Sequence, residues 1–446
     1  MKALIKTSIA TCRTGVVFAI LTLISFESTA GAGEFIEWSP KFEAINGFAE
    51  AGQQVRSEAT LNLEAQSSPT DWLDITAIAR LRWDFADELE PGKPSQDNRA
   101  HMSRRLLIDN RGELELREFY GDVAVGDANV RIGKQQIVWG QADGLKVLDV
   151  VNPQSFRYFI LDAFDQSRIP LWSVNAEIPY NDFLVSLIWV PDRTYSDVPE
   201  IGAAFAPSSP LLILPPTPGK FFTLNEPHRP GEVISDSDAG LAVSAFIGGW
   251  DLSLNYLFHY NDLPALRYSE TATAVTVDRK YVRSHLIGGS FAKAFEDFSL
   301  RGELGYFSKR PYTATRSITA SGTMNSDEVS LVLGLDYNGL ANTFISAQVF
   351  ETYLPDYRKA MIRDRFETIS TLIYRYTFNQ DQTRAQVKHL HGVNLSDGFV
   401  ELALRHEFSD QITGSLKGVA FYGDRAGLFG QFDSAEHISL TIEVGF

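Results

Sequence analysis

Apolar and polar residues alternate along most of the chain. At its end Ile438, Leu440, Ile442, Val444 and Phe446 fall in one phase, and Ser439, Thr441, Glu443 and Gly445 in the other. Successive side chains of a strand point to opposite faces, so this segment has one apolar and one polar side. Upstream, Val400, Leu402 and Leu404 alternate with Glu401, Ala403 and Arg405, and Phe298, Leu300, Leu304 and Tyr306 with Ser299, Arg301, Glu303 and Gly305. Ile75, Ala77, Ala79, Leu81 and Trp83 do the same against Thr76, Ile78, Arg80 and Arg82. One such strand is ordinary in a sandwich. A chain of them, each close to the ~9–11 residues of a membrane strand, predicts an all-β transmembrane antiparallel barrel. Strands are expected near 41–53, 57–66, 72–85, 112–125, 127–138, 171–180, 182–191, 239–248 and 250–261. The series continues near 282–294, 297–308, 327–338, 341–353, 366–379, 382–391, 396–407, 410–423 and 433–446. That makes 18 strands, or 16 if the weak first pair is discounted; both are even, as in bacterial single-chain barrels.

The connections support this by their parity. Counted backward from the last strand, every second one is tight and mostly rich in turn formers: Phe408-Ser409-Asp410, Asn379-Gln380-Asp381, Asn338-Gly339-Leu340, Ala294-Phe295-Glu296, Gly248-Gly249-Trp250, Pro179-Tyr180-Asn181, Gly126-Asp127 and Ser67-Ser68-Pro69. The others are mostly long: 86–111, 139–170, 192–238, 262–281, 309–326 and 354–365. Short turns at one end and long loops at the other is the outer-membrane arrangement, and a soluble sandwich has no reason to sort its loops this way. Trp83, Tyr306, Tyr353, Tyr422 and Phe446 stand near strand ends, where aromatic girdles meet the lipid interface.

The N-terminus changes the setting. Lys2, Lys6 and Arg13 precede an apolar run from Gly15 to Ile24, and Ser28-Thr29-Ala30 and Ala30-Gly31-Ala32 close the segment with small residues. This is the order of a cleaved secretory signal peptide, expected over 1–32, with one barrel domain over 33–446 and the bacterial outer membrane as destination. Cys12 lies inside the leader, so disulfides, thiolate metal sites and cysteine nucleophiles are excluded from the rest. Without Lys2, Lys6, Arg13 and Glu27 the balance is 37 basic against 55 acidic residues, a net charge of −18. A nucleic-acid binder of this size usually carries the opposite sign.

The string Gly133-Lys134-Gln135-Gln136-Ile137-Val138-Trp139-Gly140 is followed by Ala142-Asp143-Gly144-Leu145-Lys146-Val147-Leu148-Asp149-Val150-Val151-Asn152-Pro153, then by Arg157, Phe159 and Arg168-Ile169-Pro170. It resembles a family of proteobacterial outer-membrane barrels catalogued as a domain of unknown function. That family's signature joins Gly-Arg/Lys-Gln, Trp-Gly, Asp-Gly and Asp-Val-Val-Asn-Pro. The resemblance implies a porin-like barrel over the whole mature chain. Its members' association with exporters of hydrophobic compounds and with catabolic gene sets points to aromatic or lipidic cargo. Phe446 with Val444 and Ile442 is similar to the recognition signal of the barrel-assembly machinery. The expected partners are therefore outer-membrane lipid, that machinery and a small-molecule permeant of unspecified identity; a homo-oligomer is compatible.

Loop 139–170 is the third outward connection, which in general porins folds into the lumen and narrows it. It offers Asp143, Asp149, Arg157, Asp162, Asp165 and Arg168 as constriction candidates, since mixed charge across a narrow pore sets a transverse field. Alternation aims Arg80, Arg82, Arg301, Arg375, Arg384, Lys388 and Arg405 at the lumen as wall candidates. Against this, loop aspartates are often turn formers or helix caps, and charges line every open barrel. Lys134 breaks the alternation of its strand, and a bulge at Gly133 is expected to restore the phase. Loop 192–238 carries Leu211-Leu212-Ile213-Leu214-Pro215-Pro216 and Phe221-Phe222, fitting either a greasy entry site or a lid packed on its neighbours.

No Gly-x-Ser-x-Gly elbow, His-Glu-x-x-His motif or dinucleotide fingerprint occurs, so no catalytic residue, cofactor or metal is expected. His389 and His391 share one strand face, which suits a weak metal site at best. About 20 residues between leader and first strong strand are too few for the plug domain of the large energised barrels. The reading is a passive channel; the alternatives are a barrel enzyme and a plugged scaffold or adhesion barrel.

Overall fold

The computed structural model describes residues 36–49 and 52–445. The expected leader and Phe446 lie outside the described residues. Eighteen strands form the wall: Ile36–Phe48, Gln54–Thr70, Leu73–Asp84, Gly112–Val125, Ala128–Gln135, Leu171–Tyr180, Phe183–Val190, Asp238–Ile247 and Trp250–Tyr260 make the first half. Arg283–Phe295, Phe298–Thr313, Thr323–Tyr337, Thr343–Tyr353, Phe366–Phe378, Thr383–Gly392, Asp397–Glu407, Ile412–Tyr422 and His437–Gly445 make the second. Neighbours in sequence are neighbours in the ring, and Ile36–Phe48 closes it antiparallel to His437–Gly445, from Lys41 opposite Gly445 to Phe48 opposite Ile438. The count of 18, with the even, closed antiparallel architecture, is as the alternation requires.

Two expected boundaries shift for physical reasons. Gln54–Thr70 runs through Ser67-Ser68-Pro69, and the turn is Asp71-Trp72 instead. The ladder slips between Ser67 and Thr70, and that irregularity accommodates Pro69, which has no N–H to give. Phe298–Thr313 and Thr323–Tyr337 keep pairing out to Thr313 opposite Thr323, so their connection shrinks to 314–322.

Lys134 solves its phase problem differently from the expected bulge. The ladder from Phe119 opposite Lys134 to Val125 opposite Ala128 is continuous, with no inserted residue. Gly133 instead adopts φ +139°, where a Cβ would lie 2.1 Å from the Phe119 carbonyl oxygen. That glycine-only backbone turns Lys134 inward, where it is 2% exposed and its Nζ donates to the Leu116 carbonyl at 2.7 Å. The bulge lies one strand earlier, where pairing with Leu73–Asp84 skips between Ile78 and Ala79.

Outward positions such as Leu252, Leu254, Leu402 and Leu404 are exposed apolar residues, as a lipid-facing belt demands. The packed core lies inside the ring. Ile137, Trp139 and Leu148 of the 136–170 connection pack against inward Leu257, Leu286, Phe307 and Phe350. Nearby, Phe159 and Phe205 from two connections meet wall Phe421 and Phe432 of the last one, with Phe159 and Phe432 centroids 4.6 Å apart. At the outer end Phe221–Leu224, Ala265–Glu270 and Ala274–Lys280 form a small separate sheet. Leu214 buries itself against it beside Tyr268, Val275 and Val277, while Phe221 stays 80% exposed. The proline-rich connection is thus a packed lid in one part and an exposed apolar surface in another.

Candidate pore constriction

The 136–170 connection spans the lumen. At one wall the Glu303 carboxylate, 2% exposed, accepts the backbone N–H groups of Gln141, Ala142 (2.7 Å) and Leu148 (2.9 Å). Arg301, two residues away on the same inward face, donates to the Gln141 carbonyl at 2.6 Å and to Asp143 at 2.5 Å. At the other end Arg157 pairs with Glu58 at 2.5 Å, and Asp162 with Arg56 at 3.1 Å. Glu303 stands on the eleventh wall strand and Glu58 on the second, nine strands apart in a ring of 18 and so on opposite sides.

The anchoring wall is a dense charge network. On Leu73–Asp84, Arg80 pairs with Glu115 and Arg82 with Glu113 of the next strand, both at 2.6 Å. Above them the 85–111 connection contributes Arg105, which bridges Glu90 (2.9 Å) and Glu113 (2.6 Å), and Arg99, which bridges Glu115 (3.3 Å) and Asp197 (2.5 Å). Arg117 donates to the carbonyls of Asp165, Gln166 and Arg168, fastening the second half of the crossing loop. Burial by itself pushes the Glu90 carboxyl up, but Arg105, Arg157 and Arg82 outweigh it and hold it well below the usual carboxylate range. Burial opposes ionisation of Asp197 too, and Arg99 and Arg105 reverse the balance. A charge this deep is tolerable only when each ion is paired and hydrogen-bonded.

The sequence candidates therefore divide. Arg157 is clamped among Glu58, Glu90 and Asp84, and Arg168 bonds Asp149 at 2.7 Å with Lys146 beside them, so these three candidates are buried fasteners. Arg80 and Arg82 are likewise committed to glutamates. Asp143 stays half-exposed, Asp162 partly so, and Asp165 is exposed beside Gln166. On the far wall Arg375 reaches Gln386 at 3.2 Å, and Arg384 is exposed with Arg405 directly opposite it in the ladder. Among the described residues no carboxylate lies within ion-pair distance of Arg375 or Arg384, whereas Arg405 pairs with Glu443 (3.0 Å) and Lys388 with Glu401 (3.6 Å). Arg375 lies within electrostatic reach of Asp143.

Residues the sequence reading passed over include Glu303, Glu58, Glu113, Glu115 and Arg117. Glu113, Glu115 and Arg117 carried a usable signal, since their spacing of two puts them on one strand face next to Arg80 and Arg82. Glu303 carried none, because its partners are backbone amides of a loop more than 150 residues away.

The family profile described as "Protein of unknown function (DUF1302)" matches residues 77–404. No curated protein matches the chain in sequence. Among solved structures, Pseudomonas aeruginosa OccK3 (OpdO) aligns with a TM-score of 0.52 at 9% identity, covering 92% of this chain and 95% of that one. Acinetobacter baumannii OccAB3 gives 0.51 at 10%, with coverages of 93% and 100%, and OccAB2 of the same organism 0.51 at 11%, with 94% and 99%. At these identities the likeness is one of fold, that of outer-membrane porins.

Proposed function

The chain belongs to the family described as protein of unknown function (DUF1302), and from that premise we propose that it is a passive outer-membrane channel for small molecules, narrowed by its own 136–170 loop. One observation carries the reading: a loop anchored at both walls leaves Asp143 and Asp165 exposed in a lumen whose other wall presents Arg375 and Arg384, which have no carboxylate partner among the described residues. Opposed charges across a constriction orient dipolar solutes and select small polar or ionic ones. The outer face, with Ile442 and Val444 in its apolar phase, meets lipid, and those residues with Phe446 serve as the assembly signal. Aromatic or lipidic cargo is a second reading, favoured by the exposed side chains of Ile201, Phe221 and Ile234 on the outer connections.

The test is single-channel conductance of the refolded protein in a planar bilayer, before and after deletion of Gln141–Val147. Discrete steps that grow on deletion are expected. A folded barrel that stays silent with and without the segment ends the channel reading in favour of a plugged scaffold. Swelling of protein-loaded liposomes in small sugars, amino acids and aromatic acids separates the two permeant classes.

A further inference from the structure

A second site lies on the outside of the barrel, at the outward ends of its strands. His389 and His391 stand two apart on Thr383–Gly392, so both rings project from its lipid-facing side. Across the neighbouring strand, Tyr422 ends Ile412–Tyr422 and points back toward them. Its hydroxyl lies 2.7 Å from His389 Nε2 and 3.0 Å from His391 Nδ1, and the two imidazole centroids are 6.0 Å apart.

The strand between is what makes this meeting possible. In the ladder His391 faces Gly398, and Gly398 faces Tyr422. A Cβ at position 398 would sit 2.5 Å from the Tyr422 hydroxyl oxygen and 2.2 Å from the Leu390 carbonyl oxygen. Any side chain there would push the phenol off the histidines. Ser370, opposite His391 on the other side, adds a further hydroxyl to the same outward row.

A phenol has one proton. It can donate to one imidazole nitrogen and must accept from the other, so the two histidines cannot both present lone pairs to it. The cluster is thus hydrogen-bonded as it stands, and the three atoms that make these bonds are also ligand atoms for a cation. A tetragonal ion with bonds of about 2.0 Å has adjacent ligand edges of about 2.8 Å, which the 2.7 and 3.0 Å from the phenol oxygen to the two imidazole nitrogens match, with the two imidazoles on opposite sides of the ion.

We propose that His389, His391 and Tyr422 form a divalent metal site at the outer rim of the barrel, selective for copper(II) and, more weakly, zinc(II). Imidazole and phenolate donors suit these ions, and the Irving–Williams order places copper first. On binding, the metal takes the lone pairs of both imidazoles and replaces the phenol proton, which leaves to solvent. Water or Ser370 completes the coordination. The site is separate from the lumen and does not depend on what crosses it.

The experiment titrates copper(II) into the full refolded chain, without a polyhistidine tag, in detergent micelles. Calorimetry counts the ions, and electron paramagnetic resonance and visible spectra report the ligands. One ion per chain is expected, with nitrogen hyperfine structure and a phenolate-to-copper charge-transfer band. His389→Gln and His391→Gln each weaken binding at least about tenfold, and Tyr422→Phe removes the band. His285→Gln, which alters a single outward histidine bonded to Tyr256 at 2.9 Å, leaves the binding intact. Heat-modifiable migration on gels establishes that each variant is folded. The proposal is overturned if wild type shows no saturable ion, if the bound ion survives both histidine changes, or if Tyr422→Phe leaves the spectrum unchanged.

Discussion

Arg80, midway along its strand, and Arg384, at the start of its own, both point into the lumen, yet they live in different media. Arg80 is 7% exposed and 2.6 Å from Glu115, within a network of arginines and acids that three outer connections close over. Arg384 is exposed, and its cross-strand neighbour is another cation, Arg405. The first wall meets its charges with opposite charges on the adjacent strand and uses them to hold loops. The second pairs Arg405 with Glu443 and Lys388 with Glu401 but leaves Arg384 to water. Inward phase alone therefore does not make a pore residue; the sign of the side chain one strand over decides whether a charge is structural or available.

The comparison breaks most violently if the first wall loses one member. Arg157→Leu leaves Glu58 and Glu90 buried beside one cation fewer, a loss of about 3–5 kcal/mol for a buried pair broken from one side. Urea unfolding in micelles should show it, with larger and noisier conductance steps as the loop detaches. If Arg157→Leu unfolds and conducts as wild type does, the network is not what holds the loop.

Glu303→Leu removes the acceptor of three loop amides without touching an ion pair; among the described residues no cation lies within ion-pair distance of Glu303. Each stranded amide costs about 1–3 kcal/mol, not additively, so local release of the Gln141–Leu148 segment is expected before global unfolding. Hydrogen exchange of those amides should rise, with Glu303→Gln intermediate because it keeps one acceptor oxygen. Unchanged protection in Glu303→Leu would show that the apolar packing of Trp139 and Leu148 suffices alone.

Acid should act on the outer connections that close over the first wall. Glu90 and Asp197 have carboxyls held below their ordinary range, so the stability they contribute is fully present above about pH 4 and drains away as pH falls toward their lowered values. Loop-dependent current noise should stay flat from pH 7 to about pH 5 and rise below about pH 4. A rise already near pH 6 would point to a histidine instead.

The smallest effect on stability and the cleanest on flux belongs to the second wall. Arg384→Glu should change unfolding by less than about 1 kcal/mol, as exposed charges do, while shifting the channel's preference from anions toward cations. Reversal potentials in a salt gradient measure it. The matching change Arg80→Glu is expected to misfold the network rather than tune selectivity, and finding the two equivalent would dissolve the distinction between the walls.

The sequence by itself determined the strands, their number and which way nearly every side chain faces, because a period of two is a local property that needs no knowledge of partners. It also separated short turns from long loops. Gly133 shows the limit: the sequence located the break in phase, but only the fold showed that a positive φ, with no added residue, turns Lys134 inward. The charge network was half legible, since Arg80-x-Arg82 and Glu113-x-Glu115-x-Arg117 each announce an inward face but not the register that makes them partners. That the loop turns inward was an expectation of its place in the chain, but Glu303 as its anchor was decided by tertiary structure alone. A carboxylate has no intrinsic preference for amides over water, and only closure of the ring brings the far wall within reach of the loop backbone.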